Sequence, residues 1–197
     1  NKKNTFMQKD KLVQEVVALS REVGRYLLSE RKSFDPQLIE EKSFNNLVSY
    51  VDKTAEKQFI SGLKEILPIA GFIAEESEDI YREKEFNWII DPLDGTTNYI
   101  CNLPIYCTSV ALAKGDEIII GVIYDPTHNE CFYAWKNGGA FLNGSPISVS
   151  PTQNLIRSLV ATGFPYDDFD RYEEYIRFLG TLTKKTRGLR RLGSSAI

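Results

Sequence analysis

Ile90-Asp91-Pro92-Leu93-Asp94-Gly95-Thr96-Thr97-Asn98 follows directly on Trp88-Ile89. The apolar run Trp88-Ile89-Ile90 therefore ends in two aspartates three positions apart, with a proline between them. By itself an Asp-Pro-x-Asp-Gly string is turn chemistry, since each of these residue types favours turns. A second run has the same design: Phe72-Ile73-Ala74 leads into Glu75-Glu76. Taking a carboxylate out of water is costly unless it is paired. Two short buried strands that both end in acids therefore predict a shared cation. Neither stretch offers His or Cys, and an all-oxygen donor set selects hard Mg2+, Mn2+ or Ca2+ over Zn2+. Asp91 and Asp94 are expected on the same side of their turn, with the Leu93 carbonyl between them as a further ligand. Gly95-Thr96-Thr97-Asn98 stands where a helix would open, and the N–H groups of a helix start suit a phosphate. Carboxylates for a metal beside a phosphate cradle fit metal-assisted phosphate hydrolysis.

The rest of the composition narrows the chemistry. The 197 residues carry 24 basic and 27 acidic side chains, a net charge of −3, which does not suit a nucleic-acid coat. A single histidine, His128, rules out an HExxH zinc site. The three cysteines (Cys101, Cys107 and Cys131) form no CxxC pair and read as reduced cytoplasmic thiols. GxxxxGK[ST] and GxGxxG are both absent. No apolar run approaches the ~18 residues of a membrane span, and the polar start has no secretory core.

Periodicity organises the chain. Met7 to Arg31 reads as a helix, with Leu12, Val16, Leu19, Val23 and Leu27 on one face. A loosely patterned polar connection follows, from Asp35-Pro36 to Asn45-Asn46. A second helix spans Asp52 to Leu67, with Asp52 as its N-cap, and Pro68 stops it. Strands are expected at Val110–Lys114 and Glu117–Tyr124 around Gly115-Asp116, at Cys131–Trp135, and at Arg157–Thr162. Asn143-Gly144 is a tight-turn pair. A helix is expected from Asp170 to Lys184 with Tyr172, Ile176, Leu179 and Leu182 or Thr183 inward, then a strand at Leu189–Leu192. Gly193-Ser194-Ser195-Ala196 looks like the opening of a helix that the sequence does not continue, so the chain is expected to be incomplete at its C-terminus.

The nine-residue string from Ile90 to Asn98 resembles the first signature of the inositol monophosphatase family, within the lithium-sensitive, magnesium-dependent phosphatases. Other segments match in order. Leu47-Val48-Ser49-Tyr50-Val51-Asp52 is similar to the family's catalytic-aspartate segment, and Phe72 to Ser77 to its glutamate segment. Ala161-Thr162-Gly163-Phe164-Pro165-Tyr166 and Arg191-Leu192-Gly193-Ser194-Ser195-Ala196 also match. The resemblance covers the chain from about Met7. It implies a layered α-β-α-β-(α) sandwich of the inositol monophosphatase/fructose bisphosphatase type with its last part missing. Residues 1–197 would be a single domain, with helices and main sheet in 1–150 and the start of a second α/β part in 151–197.

The resemblance also implies roles. Glu75, Asp91, the Leu93 carbonyl and Asp94 would hold Mg2+. Asp94, Gly95 and Thr96 would bind substrate, the latter two through phosphate. Asp52 and Thr96 would aim the attacking water, with Glu75 the third catalytic residue. Gly193, Ser194 and Ser195 would line the alcohol side. The expected substrate is inositol monophosphate. The alternatives are 3′-phosphoadenosine 5′-phosphate, fructose 1,6-bisphosphate, a dinucleotide phosphate, or a catalytically silent binding role. A cytoplasmic homodimer without nucleic-acid or membrane partners is expected. The family's later Trp-Asp signature, which would supply a further metal carboxylate, does not occur in these residues.

Overall fold

The heptad-like spacing from Leu12 to Leu27 produces α1, Lys9–Glu30. It belongs to a computed structural model that describes residues 9–34, 39–43, 46–76, 85–164 and 169–197. The expected start at Met7 lies outside these residues, as do Asp35, Pro36, Asn45, Ser77, Pro165 and Tyr166. The buried stripe of α1 is wider than predicted and includes Val13, Val17, Ser20 and Gly24. Gly24 permits a close approach to the sheet: a Cβ there would lie 2.4 Å from the Tyr124 ring. Part of the polar connection that follows is ordered as an antiparallel pair, β1 (Ile39–Ser43) and β2 (Asn46–Ser49).

Helix α2, Tyr50–Ile66, begins two residues earlier than predicted. Ser49, not Asp52, is its N-cap, and Asp52 at the third helical position returns a hydrogen bond to the Ser49 N–H. The two form a capping box, which satisfies two N–H donors reciprocally. Besides Ala55, Phe59 and Leu63, α2 buries two acids, Asp52 and Glu56.

A seven-stranded sheet carries the rest of the core. In spatial order it is β3 (Gly71–Ala74), β4 (Phe86–Asp94), β5 (Cys107–Lys114), β6 (Glu117–Asp125), β7 (Glu130–Trp135), β8 (Gly139–Leu142) and β9 (Ser145–Ile147). Only β3 and β4 run parallel. The other neighbours are antiparallel, and from β5 onward they are joined by hairpins, including the expected Gly115-Asp116 and Asn143-Gly144 turns. Asn143 and Gly144 both have positive φ, 48° and 89°, as a type I′ turn requires. Helices α1 and α2 pack together and cover one face of this sheet. Phe59, Leu27, Leu112 and Trp88 are completely buried between them, each contributing about 1.5–3 kcal/mol of apolar burial.

The strand containing Trp88 does not turn after Ile90. It continues to Asp94, with a register shift against β5 between Asp91 and Asp94. Pro92 is tolerated there because a bulge removes the need for its missing N–H. A five-residue helix α3, Thr96–Ile100, follows with Gly95 as its N-cap.

Past β9 a smaller α/β piece is built from β10 (Leu159–Ala161), α4 (Tyr172–Lys185) and β11 (Gly188–Arg190), with β10 and β11 parallel. The expected strand from Arg157 is shorter because Leu155–Arg157 forms a 3-10 turn. The inward face predicted for α4 is not buried: Tyr172 and Ile176 are 47% and 44% exposed. Its periodicity reports amphipathicity, not cover. Cys107 and Cys131 are buried, whereas Cys101, at the end of α3, is exposed. Among the described residues no helix is long and apolar enough to cross a membrane.

Candidate active site

The ends of β3 and β4 and the start of α3 open into one cleft of about 570 Å³, a volume typical of small-molecule sites. Glu75, Asp91, Leu93, Asp94, Gly95 and Thr96 all line it, and so do Gly193, Ser194 and Ser195. Asp52 is not a lining residue, but it is joined to the cleft through Thr96. The fold therefore gathers every residue predicted for the site, from four separate stretches of sequence.

The acids are held in different ways. Asp91 is pushed up to about 8, first by burial and then by Glu75 and Asp94 nearby. The proximity of Glu75 favours the protonated form of Asp91. The Asp94 side chain faces the C-terminal segment. Its Oδ2 accepts from Ser194 Oγ at 2.5 Å and from the Ala196 N–H at 2.7 Å. Its Oδ1 accepts from the Ser195 N–H at 3.0 Å and from Ser195 Oγ at 3.2 Å. The stretch expected to open a helix is instead a bend wrapped on this carboxylate, because Asp94 takes the N–H groups that a helix start would leave unpaired. Consistently, among the described residues no three His, Cys, Asp or Glu side chains are already grouped to hold a metal ion.

The donor set nevertheless fits a hard divalent cation. Three acids share a cleft, and burial together with their mutual repulsion disfavours the charged form of Asp91. A divalent cation would relieve that repulsion. All the donors are oxygens, as Mg2+, Mn2+ and Ca2+ prefer.

Thr96 links the acids to α2. Its hydroxyl donates to Asp52 Oδ1 and to the Leu93 carbonyl, both at 3.0 Å. The other Asp52 oxygen accepts from the Ser49 N–H at 2.9 Å and from Ser49 Oγ at 2.5 Å. Burial raises the pKa of Asp52, against the lowering effect of its Ser49 and Thr96 hydrogen bonds. Gly95 has φ +96°, and a Cβ there would come within 2.9 Å of the Ile105 carbonyl oxygen. Only glycine makes this turn without strain.

Two residues of the site were not singled out from sequence. Glu56, 2% exposed, lies one turn beyond Asp52 and accepts the Glu76 N–H at 2.7 Å, fixing the backbone next to Glu75. Asn98, 3% exposed, donates its amide to the Ile105 and Leu192 carbonyls at 2.7 and 2.8 Å. A buried acid in a helix looks like a surface residue in sequence, and Asn98, although it closes the nine-residue string, shows nothing there of the carbonyls it bonds.

A family model described as the inositol monophosphatase family matches residues 8–197. The chain belongs to this family. It is 37% identical over 192 residues to an inositol monophosphatase of Dictyostelium discoideum, covering 95% of this chain and 70% of that protein. It is 35% identical over 182 residues to the Nus factor SuhB of Salmonella typhimurium, covering 92% of this chain and 68% of the relative. Among solved structures, the extragenic suppressor protein suhB of Bartonella henselae superposes with a TM-score of 0.88 at 33% identity, covering 93% of this chain and 70% of that one. The layered α/β architecture expected from the sequence is thereby established. Family membership supports a metal-dependent phosphatase, and the differing names of the relatives leave its substrate open.

Proposed function

We propose that this chain is a Mg2+-dependent phosphomonoesterase that hydrolyses a small phosphorylated alcohol, inositol monophosphate first. The observation that carries this is the meeting of Glu75, Asp91 and Asp94 with Gly95 and Thr96 in one cleft. Glu75, Asp91, the Leu93 carbonyl and Asp94 would hold the ion. Once bound, a divalent cation polarises the ester and makes water more acidic.

The chain's own groups do the rest. Gly95 and Thr96 present backbone N–H groups to the phosphoryl oxygens. The Thr96 hydroxyl hydrogen is committed to Asp52 and Leu93, so its oxygen lone pairs are left to accept a hydrogen from the attacking water and aim it. Asp52 takes up the released proton by way of Thr96 Oγ, and its raised pKa suits it to that task. Gly193, Ser194 and Ser195 line the part of the cleft assigned to the alcohol. Water attacks phosphorus directly and no phosphoenzyme forms. A cytoplasmic homodimer, without nucleic-acid or membrane partners, belongs to the same reading.

A second, non-catalytic reading is favoured by the four hydrogen bonds that already engage both Asp94 oxygens, and by relatives named Nus factors. One assay separates the two. Phosphate release with Mg2+ is measured on inositol 1-phosphate, 3′-phosphoadenosine 5′-phosphate, fructose 1,6-bisphosphate and a dinucleotide phosphate. The expected result is turnover that disappears with chelator and is fastest on inositol 1-phosphate. Faster release from another ester would reassign the substrate, and release from none would leave the binding role.

A further inference from the structure

We propose that Asn98 is a positioning residue that latches the C-terminal segment onto Asp94 and thereby sets the direction of that carboxylate. Its catalytic meaning rests on the phosphatase reading above. The Asn98 amide has two hydrogens, and both are used, on Ile105 O and Leu192 O. One bond holds the loop that covers Gly95, whose missing side chain leaves room for the Ile105 carbonyl. The other holds the last residue before Gly193. At Gly193 the chain turns with φ +86°, and a Cβ there would lie 2.8 Å from both the Oδ1 and the Nδ2 of Asn98. The Asn98 side chain and the bare Gly193 backbone therefore fit face to face. Directly after this turn, Ser194, Ser195 and Ala196 deliver four hydrogen bonds to Asp94. One buried amide thus couples both walls of the cleft, 94 residues apart in sequence.

Cys107 reports whether the latch is shut. It is fully buried, with its sulfur 3.7 Å from Asp94 Oδ2 and 3.8 Å from Ser194 Oγ. Lifting residues 194–196 would uncover it. Cys131, also fully buried, lies in the β-sheet core and serves as the control.

The test uses Cys101→Ser protein, which removes the exposed thiol, with iodoacetamide alkylation located by mass spectrometry. Asn98→Ala and Gly193→Ala are each expected to speed Cys107 alkylation at least tenfold and leave Cys131 unchanged. Shortening residue 98 makes room for a methyl at 193. Adding Gly193→Ala to Asn98→Ala is therefore expected to accelerate labelling by less than the product of the single effects. In parallel, both single variants are expected to lose at least tenfold in kcat on inositol 1-phosphate. Gly193→Ala keeps the test available should Asn98→Ala not fold. Unchanged Cys107 labelling, multiplicative effects, or equal exposure of Cys131 would overturn the proposal, the last because Asn98 would then merely support the fold. Latch behaviour at Cys107 in a protein without phosphatase activity would uphold the positioning and overturn only the phosphatase reading.

Discussion

Asp52 and Thr96 are 44 residues apart in sequence, and their side chains meet at 3.0 Å. The contact joins the first turn of α2 to the first turn of α3, so each helix start fixes the other. Asp52→Asn keeps an oxygen for Ser49 but loses the base. Thr96→Val keeps the shape of the side chain and loses the hydroxyl. Each is expected to lower kcat by about 10²–10⁴-fold, with the thermal midpoint of Asp52→Asn close to that of the parent. Steady-state kinetics on inositol 1-phosphate check this, and a kcat within threefold of the parent in both variants would remove the pair from the mechanism.

The acid cluster makes the metal-free protein sensitive to pH. The native pKa of Asp91, about 8, stands above its ordinary value of 3.8. The folded chain therefore holds a proton that the unfolded chain releases. The stability this contributes is complete below about pH 4 and is lost as the pH climbs through about 8. In the presence of chelator the thermal midpoint is expected to fall between pH 5 and 8. Asp91→Asn is expected to flatten that slope and to raise the midpoint at pH 8 by roughly 3–6 °C. A chelated Asp91→Asn protein with the parental slope would show that the charge is not stored there.

His128 and Asp125 form a second pH-dependent pair, in the turn between β6 and β7. His128 Nδ1 lies 2.6 Å from Asp125 Oδ2, and Asp125 also accepts from the N–H and hydroxyl of Thr127 and from the N–H of His128. The pKa of His128 is raised by its hydrogen bond to Asp125, and that of Asp125 is lowered, its hydrogen bonds to Thr127 and His128 outweighing burial. The histidine's share of stability is complete below pH 6.5 and lost as the pH rises through its native pKa. The aspartate's share is present above 3.8 and lost as the pH falls through its native value. The stability gap between the parent and His128→Gln is therefore expected to be widest near pH 5–6 and to narrow above. The His128 resonance followed by NMR is expected to titrate above 6.5, and Asp125→Asn to return it toward that value.

Glu56 supplies the acceptor for the Glu76 N–H. Glu56→Ala would leave that partly buried donor without this partner, at a cost of about 1–3 kcal/mol, and is expected to weaken activation by Mg2+ because Glu75 is the adjacent residue. Glu56→Gln keeps a carbonyl acceptor and is expected to stay near the parent in both. Denaturant unfolding and Mg2+ titration of the rate separate the two variants, and equal behaviour would show that the acceptor is immaterial.

Much of this was legible in sequence because it rests on patterning. Leu12 to Leu27 and Ala55 to Leu63 mark helical faces, and the apolar runs before Glu75 and Asp91 mark strands that end in acids. What escaped was polar and reciprocal. Asp52 looks like a helix cap, yet in a capping box the cap and the third residue each bond the other, and Ser49 holds the cap position. Ser194 and Ser195 have the composition of a helix start, but the better acceptor for their N–H and hydroxyl groups is Asp94, 100 and 101 residues away. Periodicity in α4 marks an apolar stripe at Tyr172 and Ile176 without showing what covers it. Glu56 and Asn98 are buried through partners that only the folded chain brings to them.

The bulge in β4 has an arithmetical effect. Along a regular strand, positions three apart fall on opposite faces, because side chains alternate. Asp91 pairs with Ser109 and Asp94 with Cys107, so three steps on β4 answer two on β5. The surplus residue resets the parity, and both aspartates line the same cleft. A strand of the same length without the bulge would return to strict alternation and put one acid on the reverse of the sheet. The irregular pairing is therefore as much a part of the site as the two carboxylates it brings to one side.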